Sequence, residues 1–140
     1  MSSEEASKKT IERLKTVRHA LLRLHKMLLE FQRQEYEREG GRVSNSYQLL
    51  NLVMHNESFA WLHQLSELVV QIDEILDAEE ELREADLVAL LDQARFLVLP
   101  SETGDEFQRR YFDSLQQSPD VVLAHSEVVR LLGKKSSEVH

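Results

Sequence analysis

The residues best able to do chemistry in this chain are two histidines set in apolar surroundings. His25 falls among Leu21, Leu22, Leu28 and Leu29, and His125 among Val121, Val122, Val128, Val129 and Leu132. At 100° per residue on a helix, each ring projects from an apolar face, so both are expected to be withdrawn from water. A neutral imidazole is the commonest metal ligand among side chains, and its charge changes near neutrality. If His25 and His125 converge, they form a metal site, a small-ligand pocket or a proton-dependent switch. If they stay apart, each packs as a flat aromatic and makes one local hydrogen bond, the usual state of a buried polar group.

His63 and Glu67 make a second combination, four residues apart and therefore on one face of a helix. That face is opposite the apolar stripe of its segment. The chain has no Glu-x-x-His and no two histidines three or four apart, whereas a dinuclear carboxylate bundle needs several such pairs aimed inward. An exposed helical pair is the expected reading. Tyr111 and Phe112 are adjacent and cannot face the same way, so one of them is a candidate for contact with a partner. Trp61, by its place in an apolar stripe, belongs to the core.

Other chemistries lack their residues. The chain contains no cysteine, no glycine-rich phosphate loop, no HExxH and no nucleophile elbow, so no catalytic residue is assigned and no cofactor is implied. Arg109, Arg110, Lys134 and Lys135 are too scattered for a nucleic-acid footprint. The run Glu79-Glu80-Glu81 reads as a solvated turn.

These residues must be positioned by helices. Four glycines and two prolines in 140 residues leave little turn chemistry for hairpins, and the apolar positions recur at helical spacing. The densest stripe lies in SFAWLHQLSELVVQIDEIL, where Trp61, Leu62, Leu65, Leu68, Val69, Ile72, Ile75 and Leu76 share one arc. The expectation is an all-α, single-domain bundle of five to six helices spanning 1–132, with residues 1–10 frayed and 133–140 a flexible tail. A long first helix runs from a Ser2/Glu5 capping box to Gly40 and Gly41. A short helix capped by Ser44 or Ser46 stops near His55, and Ser58 caps the helix that carries the dense stripe. A bend between Asp77 and Asp86 separates a fourth helix, which Pro100 ends. Thr103 and Glu106 open a fifth, and Ser118-Pro119-Asp120 opens the last, with its serine cap and its proline at the first helical position. The first helix and the Ser58 helix are expected to form a central antiparallel pair, with the last helix packed across them.

The formal charge of −8 disfavours nucleic acid as a partner. Its distribution is uneven: ten Lys or Arg against seven Asp or Glu over 1–42, but two against eleven over 43–98. A mildly basic first segment and an acidic middle would favour the two lying side by side within a monomer or across a dimer, while the simpler reading is of solvated faces with no partner significance. The N-terminal sequence lacks the apolar core of a signal peptide, and no run of about 18 apolar residues is present to span a membrane, so a cytoplasmic protein is expected.

The words FAWLHQLSELVVQIDEIL and SPDVVLAHSEVVRLL, joined by LPSETGDEFQRRY, resemble a group of short bacterial helical proteins with no assigned activity. The resemblance covers most of the chain and implies a bacterial cytosolic protein; it brings no substrate or catalytic residue onto these positions. On the residues themselves, the expected function is a non-enzymatic protein-interaction or regulatory module, with a protein partner or self-association and no membrane. The alternative is a metal- or small-ligand-binding bundle built on His25 and His125.

Overall fold

A computed structural model describes residues 5–78 and 81–133, and the chain is organised there around one long helix, Lys8–Arg38 (α1). At about 1.5 Å per residue it extends for roughly 46 Å. Its start is set by Ser7 and not by the expected Ser2/Glu5 box: the Ser7 hydroxyl accepts the Thr10 N–H at 3.0 Å, and Glu5 is extended, bridged to Arg83. Its end is a Schellman turn: the Gly40 N–H bonds the Glu37 carbonyl and the Gly41 N–H the Tyr36 carbonyl. Gly40 sits at φ 104°, a conformation that disfavours side chains, and a Cβ on Gly41 would lie 2.2 Å from the Tyr36 ring. Both glycines are therefore needed for the turn.

Five more helices follow among the described residues: α2 (Ser46–His55), α3 (His63–Asp77), α4 (Glu84–Leu97), α5 (Glu106–Gln117) and α6 (Pro119–Leu132). The all-α bundle with a long N-terminal helix is as the periodicity requires. None of these helices is long and apolar enough to cross a membrane.

The antiparallel pairing of α1 with the chain carrying the dense stripe is written in three contacts. Arg18 meets Asp73 at 3.1 Å, His25 meets Ser66 at 2.7 Å, and Gln32 meets Trp61 at 2.9 Å. The α1 residues ascend as their partners descend. This places the basic segment beside the acidic one. The last helix is arranged differently from expectation: α6 lies along α1 and against α4 and α5 and has no comparable contact with α3, so it covers α1 and does not pack across the α1–α3 pair.

The starts of three helices fall one or two residues from the expected caps. Asn45, rather than Ser44 or Ser46, caps α2 through the Gln48 N–H at 2.8 Å. Asn56, rather than Ser58, begins the next element: its side-chain oxygen accepts both the N–H and the hydroxyl of Ser58, and a 3-10 segment, Glu57–Leu62, precedes α3. Three residues per turn let Phe59 and Leu62 eclipse one another on the core side, and both are fully buried. Asp105 and Gln108, rather than Thr103 and Glu106, form a reciprocal capping box at α5. Ser118 and Pro119 open α6 as expected, with the serine hydroxyl accepting the Val121 N–H.

Residues 5–10 carry too few apolar side chains to hold themselves by packing, and hydrogen bonds anchor them. The Ala6 N–H reaches the Leu82 carbonyl at 2.9 Å, and the Glu84 carboxylate accepts from the Ser7 N–H and the Thr10 hydroxyl. Gly133 ends α6 at φ 60°. The rest of the expected flexible tail, the Ser2 cap, and Glu79 and Glu80 lie outside the described residues.

Candidate functional site

His125 is placed by α6, and a fully buried tyrosine is brought to it by α5. The tight turn at Ser118 folds these two helices against each other, so that the Tyr111 hydroxyl lies 2.5 Å from His125 Nδ1. The rings meet edge to face with centroids 5.4 Å apart. They end an aromatic row that begins at Trp61, passes to Phe107 at 5.7 Å and reaches Tyr111 at 5.6 Å. Gln32 of α1 fixes the far end by accepting the indole N–H. Four elements thus hold one imidazole in place.

The direction of the Tyr111–His125 bond follows from satisfaction. Among the described residues, Nδ1 is the only acceptor within reach of the buried phenol, so the O–H donates and Nδ1 accepts. The imidazole proton then resides on Nε2. Burial holds His125 below the usual histidine range and pushes the Tyr111 phenol up, so both groups are uncharged at neutral pH.

His125 also borders a cavity of about 620 Å³ between α4 and α6, lined by Phe96, Val98, Leu99, Pro100, Val129 and Leu132. Its polar wall is Asp92 with Arg95. That arginine is engaged on three sides: Asp92 at 2.7 Å, the Leu132 carbonyl at 2.9 Å and the Gly133 carbonyl at 3.4 Å. Arg13 of α1 also donates to the Leu132 carbonyl. Two guanidinium groups from different helices therefore close the C-terminal end of α6, where its carbonyls lack intrahelical partners and its dipole is negative.

His25 has a separate environment. Its Nε2 lies 2.7 Å from the Ser66 hydroxyl, which itself donates to the Leu62 carbonyl, so the imidazole N–H donates to the serine oxygen. Burial lowers its pKa too. The two histidines share no hydrogen-bond partner, and His25 is not among the residues lining the cavity beside His125. Among the described residues no group of three or more metal-ligating side chains is gathered. His63 Nε2 donates to the Val53 carbonyl at 3.0 Å and ties α3 to the end of α2, with Glu67 exposed beside it.

Of the adjacent pair, one of which is expected to face a partner, Tyr111 is the inward member. It is fully buried by Phe107, His125 and the α5–α6 packing, and only the half-buried Phe112 retains surface. The exposed apolar side chains lie elsewhere. On α2, Tyr47, Leu50 and Met54 are 76, 55 and 59% exposed, while Leu49, Leu52 and Val53 pack against the core from the other side of the same helix. The sequence marks this segment as one short helix, in which Tyr47, Leu49, Leu50, Val53 and Met54 are all apolar and the two faces are not told apart. The distinguishing cue was present: 47, 50 and 54 form a second stripe about 60° wide. Comparison of the chain with family models, with curated proteins and with solved structures found no match.

Proposed function

We propose that the protein is a non-enzymatic interaction module that docks an apolar surface of a partner protein on the outward face of α2. The observation that carries this reading is the stripe Tyr47, Leu50, Met54, each more than half exposed on a helix with no fully buried residue. Spacing of three and four residues is that of anchors by which one helix enters a groove on another protein. Between Ser46 and His55 the helix carries no Asp, Glu, Lys or Arg, so the stripe is rimmed by neutral Gln48 and Asn51. Aromatic and methionine side chains without charges are the composition of interface centres. The inner face fixes α2 in position through Leu49, Leu52 and Val53 and through the His63 bond to its last turn.

A photo-crosslinking residue at position 50, introduced in the native host, tests the reading. The expected result is a discrete crosslinked species that disappears when Tyr47→Ser and Met54→Ser are added, and that a crosslinker at exposed His19 does not produce. If the crosslinked species is a second copy, sedimentation will show a dimer that the same two substitutions abolish. Crosslinks that ignore the serine substitutions, in a protein with unchanged helicity, would refute the assignment.

A further inference from the structure

We infer that the groove between α4 and α6 is a binding site for a small, uncharged, mainly apolar molecule that presents a carbonyl oxygen to His125 Nε2. The inference is independent of the α2 surface. Its volume of about 620 Å³ falls within the range of small-molecule sites, and so does its make-up of apolar walls with a few directed polar groups. Phe96 and Leu99 stand at the rim 62 and 57% exposed, and Val129 is 46% exposed on the facing helix.

The chemical class follows from the groups that face the cavity. Tyr111 occupies Nδ1, so the ring has one polar atom left, and that atom carries a proton. Among the described residues Nε2 makes no hydrogen bond to protein. With His125 among the residues that line the cavity, Nε2 is the imidazole atom left for an occupant, beside the apolar walls of Phe96, Val98, Leu99 and Val129. An occupant with an acceptor opposite it gains a hydrogen bond, whereas a purely hydrocarbon occupant would strand the donor away from water. Asp92 and Arg95 are the charged side chains among the described residues that line the cavity, and Arg95 is bound to Asp92 and to the carbonyls at the end of α6. An anion there would meet the Asp92 carboxylate, and a cation would meet the guanidinium and the imidazole N–H. An uncharged carbonyl compound meets neither penalty.

Three probes separate these cases in titrations of the isotope-labelled full chain followed by NMR. Propiophenone carries a carbonyl on an apolar body, propylbenzene lacks the acceptor, and 3-phenylpropanoate adds a negative charge. The expected result is that propiophenone shifts resonances of residues 96–100 and 125–132 and moves the His125 Nε2 signal. It should bind roughly fivefold tighter than propylbenzene, the worth of one net hydrogen bond. His125→Phe should erase that advantage. Because this change alone strands the Tyr111 hydroxyl, the double variant Tyr111→Phe/His125→Phe removes both polar partners together and serves as its folded counterpart. Phe96→Ser at the rim should weaken both neutral probes alike. Equal affinities for propiophenone and propylbenzene would overturn the carbonyl assignment, and tighter binding of 3-phenylpropanoate would overturn the uncharged class. An imidazole proton found on Nδ1, or no shift in the groove at millimolar probe, would overturn the site.

Discussion

Gln32 is a polar residue with 4% exposure in the middle of the bundle, and its amide oxygen is 2.9 Å from the indole nitrogen of the single tryptophan. Gln32→Met keeps the length of the side chain and removes the acceptor. The indole N–H, on a residue 5% exposed, then has no partner and no room for water. Stranding a buried donor costs about 1–3 kcal/mol, and removing a desolvated amide returns part of that, so a net loss of roughly 1–2 kcal/mol is expected. For a domain of this size that corresponds to a fall in melting temperature of about 3–8 °C. Circular dichroism during urea unfolding should show the loss as a lower midpoint with an unchanged slope. Trp61→Phe removes the donor instead, and in the double variant the stranding term is absent. The cycle should therefore give a coupling of about 1–2 kcal/mol. A neutral Gln32→Met, or effects that simply add, would refute the claim that this bond positions the aromatic row.

Three further outcomes follow from the structure. His25 and His125 are both held below the usual histidine value near 6.5 by burial, so the unfolded chain takes up protons first as the pH falls. Stability is then complete above about pH 6.5 and declines below it toward the folded-state values; melting temperatures between pH 7.5 and 5.5 should fall, imidazole NMR titrations should place both midpoints below 6.5, and a rise in stability over that interval would contradict the sign. Arg95→Met should destabilise by roughly 1–2 kcal/mol by exposing the carbonyl end of α6, with faster amide exchange confined first to the last turn of that helix. Ser118→Ala should cost about 1 kcal/mol in chemical unfolding, and Ser118→Gly only a few tenths, because the lost interaction is a cap and not side-chain packing.

Periodicity revealed the helices because a bundle buries them by face, and faces are written directly in spacing. Leu14, Val17, Leu21, Leu24 and Leu28 on α1, and Leu65, Leu68, Val69 and Ile72 on α3, are buried as their spacing requires. Caps were less legible. Ser44, Asn45 and Ser46 all qualify chemically, and the choice among them belongs to the register that puts Leu49, Leu52 and Val53 inward. Gln32 was invisible because nothing local marks a polar side chain as buried; its partner is 29 residues away. The candidate site was legible only in part. The apolar neighbours of His25 and His125 foretold their partial burial, but spacing within a helix says nothing about which other helix arrives. Tyr111 reached His125 through the Ser118 turn, and the cavity wall depends on residues 98–100, which the sequence marks only as a stop.

The closure of α6 on Arg13 joins groups 119 positions apart. A ribosome adding about 5–20 residues per second makes α1 roughly 6–24 s before the helix that lies along it. During that interval the leucine face of α1 has emerged without α6, and neither α3 nor α4 alone can cover it. A chain ending before Pro119 is therefore expected to leave exposed the part of the α1 leucine face that α6 covers in the finished protein.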